Sequence, residues 1–122
     1  MTNNKIFIID DDEALLESLE ALLIGEGYQV KAASDTQNLI AKITTYIPDV
    51  ILLDYLLPNQ NGEEVVELLK KQSSTKDIPI IMISASYTAK NIALNSGVNE
   101  FLAKPFDIDK LLSAIKKYIH PA

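Results

Sequence analysis

Four short apolar runs divide the chain, and each of them ends at a polar or charged side chain. The runs are Ile6 to Ile9, Val50 to Leu53, Ile80 to Ile83 and Phe101 to Ala103, followed respectively by Asp10-Asp11, Asp54, Ser84 and Lys104. Runs of about four apolar, largely β-branched residues are typical of strands that are buried on both faces. They predict four strands of one buried sheet.

The segments between these runs carry helical periodicity. Helices are predicted after Asp12-Glu13 up to Gly25, from about 36 to 46 with Ser34-Asp35 as the cap, around 65 to 69, from about Thr88 to Ser96, and from about Ile108 to Ile119. The more polar segment 28–33 predicts an edge strand. Alternating strands and helices with right-handed crossovers predict a doubly wound α/β sandwich with a parallel sheet.

Parallel strands end at one edge of their sheet, which is where open α/β folds bind ligands. Asp10, Asp11, Asp54, Ser84 and Lys104 are therefore expected to converge there. Neighbouring carboxylates repel one another unless a cation lies between them, and one or two carboxylates with waters and phosphate are the usual Mg²⁺ environment. An aspartate pair after a strand can also be a helix cap, but its combination with Asp54 and Lys104 favours a Mg²⁺ site.

Composition narrows the class of protein. A chain of 122 residues with 48% hydrophobic content fits a single domain spanning residues 1–122. It contains no cysteine, which excludes disulfides and thiolate metal sites and favours the cytoplasm. Neither a membrane span nor a signal peptide is predicted. The net charge of −6 argues against direct binding of nucleic acid.

Four motifs in order resemble the signatures of the response-regulator receiver domain of two-component signalling, as in chemotaxis receivers. They are Ile8-Ile9-Asp10-Asp11, the run from Leu52 to Pro58 with Gly62, Ile83-Ser84-Ala85, and the run from Phe101 through Lys104-Pro105 to Phe106. The resemblance spans essentially the whole chain. It implies a flavodoxin-like (βα)5 fold with five parallel strands in the order 2-1-3-4-5.

The resemblance also implies a role for each group at the carboxyl edge. The implied roles are phosphoacceptor for Asp54, Mg²⁺ ligands for Asp10, Asp11, Asp54 and the main-chain carbonyl of Leu56, phosphate partner for Lys104, switch hydroxyl for Ser84 and switch aromatic for Phe101. Ser84 stands where Thr is commoner, and Phe101 where many members have Tyr. A cis Lys104-Pro105 peptide is implied as well, while Pro58 and Gly62 are interpreted as loop geometry.

The chain has no Gly-rich phosphate loop, so an already activated donor is expected. The expected donor is the phosphohistidine of a histidine kinase or a histidine phosphotransfer protein. Such a phosphoacceptor is not an enzyme in the usual sense, although it assists its own phosphorylation and dephosphorylation. Phosphorylation is expected to change the surface of the fourth helix, fifth strand and fifth helix. An unidentified downstream target or a second copy of the chain would dock there. The protein is accordingly expected to be a monomer or a phosphorylation-dependent dimer. The lone His120 is interpreted as a solvated tail residue.

Two other functions are compatible with parts of the pattern. Asp10 and Asp12 can be the nucleophile and acid of a haloacid-dehalogenase-like phosphatase, although the chain lacks the cap and the length usual there. A receiver-shaped binding module that is never phosphorylated is the second alternative. A stand-alone regulator, a phosphorelay intermediate and a piece of a larger regulator or hybrid kinase all fit the sequence.

Overall fold

The computed structural model describes residues 4–57, 60–85 and 89–119, in which strands and helices alternate. The elements are β1 (Lys5–Ile9), α1 (Glu13–Gly25), β2 (Gln29–Ala33), α2 (Leu39–Tyr46), β3 (Val50–Asp54), α3 (Gly62–Lys70), β4 (Ile80–Ser84), α4 (Ala89–Asn95), β5 (Glu100–Ala103) and α5 (Ile108–Tyr118). The strands pair in parallel in the order β2-β1-β3-β4-β5. The predicted fold class and strand order are confirmed.

Alternate residues of each central strand enter opposite halves of the core, as the pleat of a strand requires. On one face, Phe7, Ile51 and Met82 pack with side chains of α2, α3 and α4. On the other face, Ile8 and Leu52 pack with side chains of α1 and α5. The sheet is therefore covered on both faces, which explains why β1, β3 and β4 are continuous apolar runs.

The second helix begins later than predicted. Asp35 does not cap it, because its carboxylate accepts a hydrogen bond from the backbone N–H of Gln37 at 2.9 Å and closes a local turn. Asn38 is instead the N-cap, in a left-handed conformation with φ of 54° and without a side-chain capping bond. The helix therefore starts at Leu39.

The remaining helix ends agree with the prediction within a few residues. Asp12 caps α1, and its side chain accepts a hydrogen bond from the N–H of Leu15. Asn61 and Glu64 form a reciprocal capping box at the start of α3. The predicted beginning of the fourth helix at Thr88, the loop residue Pro58 and the tail residue His120 lie outside the described residues. None of the helices in the described ranges has the length and apolar character that a membrane crossing needs.

Candidate functional site

Three carboxylates and one ammonium meet at the carboxyl edge of the sheet. Asp10 follows β1, Asp54 ends β3, and these strands are neighbours. Asp10, Asp11 and Asp54 each place a carboxylate oxygen within 4.8 Å of the other two. Lys104 follows β5 and directs its Nζ to Asp10 Oδ2 at 2.9 Å and Asp54 Oδ2 at 3.6 Å. The expected convergence of these four residues is therefore observed.

Both carboxylate oxygens of Asp10 are engaged. Oδ1 accepts a hydrogen bond from the backbone N–H of Asp12 at 2.9 Å, and Oδ2 accepts one from Lys104 Nζ at the same distance. The residue is only 1% exposed. A buried charge needs such partners, because desolvation without compensation costs several kcal/mol. Asp10 is thus fixed in one orientation at the floor of the site.

Asp54 is buried with less compensation. It is 5% exposed, and its carboxylate accepts a hydrogen bond from the backbone N–H of Leu56. Burial raises the pKa of Asp54 to about 6, the charge of Asp10 adds to the rise, and Lys104 and the Leu56 N–H offset only part of it. The ionised form of Asp54 is therefore destabilised by burial and by the charge of Asp10 beyond what Lys104 offsets. The pocket can therefore accommodate additional positive charge.

Lys104 remains an ammonium in this setting. Burial opposes its charge, but the hydrogen bond to Asp10 and the charges of Asp54 and Asp10 together raise the pKa of its amine above the usual value. The Lys104-Pro105 peptide bond is cis, as the resemblance implies. The backbone N–H of Lys104 donates to the carbonyl of Ser84 at 2.8 Å, which joins the ends of β5 and β4.

Of the two residues with predicted switch roles, Ser84 lies at the carboxyl edge of the sheet and Phe101 does not. Ser84 ends β4 at the carboxyl edge and is 1% exposed. Phe101 lies in β5 opposite Met82 of β4, and it is partly buried against the core beneath α2, α3 and α4. It is therefore placed along the strand before the edge, outside the acidic cluster. The segment 86–88, which follows Ser84, lies outside the described residues.

The geometry argues against the phosphatase alternative. Asp12, the acid in that alternative, accepts the N–H of Leu15 at 3.1 Å and caps α1. Asp10, its nucleophile, has both oxygens engaged by Asp12 and Lys104. Asp12 is thus used as a helix cap rather than directed at Asp10 as an acid.

Two contributors to the site were not predicted from the sequence. The backbone N–H groups of Asp12 and Leu56 stabilise the carboxylates of Asp10 and Asp54. Residue types carry no signal for such contacts, since any amino acid other than proline offers the same N–H. Only the path of the backbone shows them.

An apolar groove of about 620 Å³ opens beside Lys104, between α1 and the segment that follows β5. Its apolar lining includes Leu15, Leu19, Leu22, Pro105, Phe106 and Ile108. Leu19 is buried, whereas Leu15 and Leu22 on the same helix are only partly buried. Helical periodicity identifies an apolar face, but it does not show whether another element covers that face.

A five-stranded parallel sheet with three aspartates and a lysine at its carboxyl edge is the arrangement that the resemblance to receiver domains implies. Residues 6–116 match the family described as the response regulator receiver domain, and the chain belongs to this family. It is accordingly a signalling module with an acidic phosphoacceptor pocket rather than a classical enzyme, as predicted.

Particular relatives place the chain among two-component regulators. It is 36% identical over 118 residues to the phosphate regulon transcriptional regulatory protein PhoB of Pseudomonas aeruginosa, covering 95% of this chain and 52% of PhoB. It is 35% identical over 114 residues to the response regulator PleD of Caulobacter vibrioides, covering 92% of this chain and 25% of PleD. The chain thus spans about half, or less, of the length of these curated relatives.

Solved structures of similar proteins superpose on nearly the whole length of this chain. The chemotaxis protein CheY4 of Vibrio cholerae superposes with a TM-score of 0.88 at 28% identity, covering 97% of this chain and 100% of CheY4. The receiver domain of the Francisella response regulator 1452 gives a TM-score of 0.86 at 30% identity, covering 95% of this chain and 96% of that one. The described fold is therefore similar to a complete receiver domain.

Proposed function

We propose that this receiver domain accepts a phosphoryl group on Asp54 from a phosphohistidine, with Mg²⁺ bound, and passes the signal on through a changed surface. The observation that carries the proposal is the position of the Asp54 carboxylate, which lies beside Asp10 and Asp11 and 3.6 Å from Lys104 Nζ. The donor would be a histidine kinase or a histidine phosphotransfer protein in the cytoplasm.

Asp54 is better suited than Asp10 to be the nucleophile. Asp10 uses one oxygen for the Asp12 N–H and the other for Lys104. Lys104 approaches Asp54 less closely, at 3.6 Å. With a pKa of about 6, Asp54 is mostly ionised above pH 7 and can attack. Its location at the end of β3 places it at the open edge of the sheet.

In the proposed transfer, an Asp54 carboxylate oxygen attacks phosphorus in line with the departing imidazole nitrogen. The phosphorus–oxygen bond forms, the phosphorus–nitrogen bond breaks, and the imidazole leaves with the electron pair of that bond. Lys104 lies within reach of both carboxylates and would neutralise charge on the phosphoryl oxygens. The chain therefore contributes mainly position and countercharge.

The donor set fits Mg²⁺. Asp10, Asp11 and Asp54 offer hard oxygen ligands within 4.8 Å of one another, and burial together with the charge of Asp10 raises the pKa of Asp54, which a nearby cation would counteract. These three residues, with the main-chain carbonyl of Leu56, would hold the ion. When bound, Mg²⁺ would supply the positive charge that lets a phosphoryl group approach the carboxylates.

The donor protein would contact the apolar groove beside Lys104. Lys104 and Ala85 line this groove, so it continues directly from the acidic site. Ile108 on its rim is 45% exposed. A protein that buries this apolar surface would bring its phosphohistidine close to Asp54.

Transfer is tested by incubating the protein with Mg²⁺ and acetyl phosphate or a phosphorylated kinase, followed by mass spectrometry. One phosphoryl group is expected, and it should be absent in Asp54→Asn. Asp10→Asn should keep the nucleophile and reduce the rate. A label located on Asp10 would refute the receiver mechanism, while no label from any donor would favour a module that is never phosphorylated.

We also propose that Ser84 and Phe101 convert phosphorylation into a surface change. Phosphate on Asp54 would attract the Ser84 hydroxyl, and the repositioned chain would let Phe101 move inward. The affected face comprises α4, β5 and α5, and Ile92 and Leu94 on α4 are 39% and 46% exposed. An unidentified target or a second copy would dock there.

Beryllofluoride with Mg²⁺, which mimics an acyl phosphate, tests the switch by backbone NMR. Shift changes are expected at Ser84, α4 and Phe101 as well as at the acidic pocket. Ser84→Ala should remove the distant changes without preventing binding, whereas the matched control Ser74→Ala, at an exposed turn, should keep them. Changes confined to the pocket would instead identify a phosphorelay intermediate that carries phosphate without switching.

A further inference from the structure

Gly62 is glycine for a different reason from Gly27 and Gly97. The latter two have a φ of 98°, which side chains rarely adopt, and the space around them is open or only loosely occupied. Gly62 has no such φ value, but a Cβ at this position would lie 3.0 Å from three atoms. Those atoms are the carbonyl oxygen of Asp54, Cα of Tyr55 and Cε of Met82. Space, and not backbone conformation, therefore requires glycine here.

Most of the crowding comes from backbone atoms next to the acidic site. Two of the three are backbone atoms of Asp54 and Tyr55, and the N–H of Gly62 donates to the carbonyl of Tyr55 at 2.6 Å. The next residue, Leu56, hydrogen-bonds the Asp54 carboxylate through its N–H. The segment 54–56 thus forms the pocket on one side and lies against Gly62 on the other.

The surroundings leave few ways to relieve crowding at position 62. The capping box of Asn61 and Glu64 fixes the first turn of α3, with hydrogen bonds of 3.0 and 3.2 Å. Backbone atoms of a buried central strand do not yield easily. Only the Met82 side chain, which is unbranched and flexible, offers some adjustment. An added methyl group would therefore displace the segment 54–56 or the start of α3.

We propose that Gly62 is a positioning residue for the metal and phosphoacceptor site. The missing side chain at position 62 allows α3 to begin directly against the backbone of Asp54 and Tyr55, which fixes where the Asp54 carboxylate and the Leu56 main chain lie. This inference rests on the proposed function. Mg²⁺ demands ligand distances near 2.0–2.1 Å in almost ideal octahedral geometry, so a displacement of a few tenths of an ångström weakens binding.

The test is the dissociation constant for Mg²⁺, measured by calorimetry or NMR titration at a temperature at which circular dichroism shows each variant to be folded. Gly62→Ala should bind Mg²⁺ about 10-fold to 100-fold more weakly, the range found when groups that orient metal ligands are replaced. Without metal, the amide shifts of Tyr55 and Leu56 should also change. The matched control is Gly25→Ala, because no atom lies within 4 Å of a Cβ there and its affinity should be unchanged.

A second pair of variants keeps the test decisive if Gly62→Ala does not fold. Met82→Val removes the methyl group that faces position 62, so Gly62→Ala in this background has more room. The double variant should recover part of the lost affinity, yet still bind Mg²⁺ more weakly than Met82→Val alone, because the contacts with Asp54 and Tyr55 remain.

The outcomes separate the two proposals. Failure of the parent protein to bind Mg²⁺ would refute the metal site itself. If the parent binds and Gly62→Ala binds equally well, or the double variant equals Met82→Val, the positioning role of Gly62 is wrong. A lowered melting temperature with unchanged affinity would show a purely structural glycine and would likewise overturn the inference.

Discussion

The two edges of the sheet carry ion pairs of different kinds. At the carboxyl edge, Lys104 faces Asp10 and Asp54, and the two carboxylate side chains are only 2% and 6% exposed. At the amino edge, Lys117 faces Glu100 at 3.3 Å, with the side chains 60% and 26% exposed. The first site holds more negative than positive charge, whereas the second is a balanced pair.

The ion pair at the amino edge is typical of a surface contact, whereas the buried cluster at the carboxyl edge is typical of a functional site. Solvent screens the pair at the amino edge, and Glu100 has a second partner in the hydroxyl of Tyr118. At the carboxyl edge, Asp54 keeps a raised pKa because its surroundings do not offset its burial. Such unbalanced burial reduces stability and is typical of sites that bind a cation or react.

Replacing the lysine of each ion pair should give the largest difference in the free energy of unfolding between the two edges. Among the residues that the structure describes, Lys104→Ala leaves the Asp12 N–H as the remaining donor to Asp10. The free energy of unfolding should therefore fall by about 2–3 kcal/mol in EDTA at neutral pH, somewhat less than for a fully buried pair because Lys104 is 23% exposed. Lys117→Ala should cost under about 1 kcal/mol. Urea unfolding measures both values, and equal losses would show that burial does not distinguish the two edges.

The pH dependence of the free energy of unfolding should report the ionisation of Asp54. Its pKa is raised by burial, and by the charge of Asp10, from 3.8 to about 6 in the folded protein. Between these values the folded state retains a proton that the unfolded chain releases, so the free energy of unfolding falls as pH rises. At about 1.4 kcal/mol per pKa unit, the loss from this shift is on the order of 3 kcal/mol.

Asp54→Asn provides the comparison, because the amide stays neutral at every pH. In EDTA, its unfolding free energy should exceed that of the parent by an amount that grows from about pH 4 to about pH 6 and then stays constant. Urea unfolding at several pH values measures this difference. Parallel curves for the two proteins would contradict the raised pKa of Asp54.

Mg²⁺ binding should change the free energy of unfolding by less than the substitutions above. Binding to the folded state should stabilise the parent by about 1.4 kcal/mol at ten times the dissociation constant. Asp11→Ala should remove most of this increment, because Asp11 belongs to the acidic cluster. Asp35→Ala, which removes only the turn bond to Gln37, should retain it. Thermal scans test this prediction, and identical melting of the parent and Asp11→Ala in millimolar Mg²⁺ would count against the metal site.

The local chemistry of the chain was predictable from its pattern. The apolar runs before Asp10, Asp54 and Ser84 are buried strands, since β-branched residues without alternation indicate burial on both faces. The second helix was placed too early because Asp35 can close a turn as readily as cap a helix, and the sequence does not distinguish these uses. The predicted end of the first helix at Gly25, in contrast, is correct.

The sequence alone determined which residue types stand at the strand ends and, through the resemblance, the family and the strand order. Only the tertiary structure decided that Lys104 lies closer to Asp10 than to Asp54, that the Leu56 N–H contacts the Asp54 carboxylate, and that Gly62 touches the pocket floor. The physical reason is that sequence patterns report local structure, whereas these contacts depend on the path of the folded backbone. Periodicity indicates which face of a helix or strand is apolar, and the local sequence fixes that face, whereas distances of a few tenths of an ångström depend on how separate elements pack together.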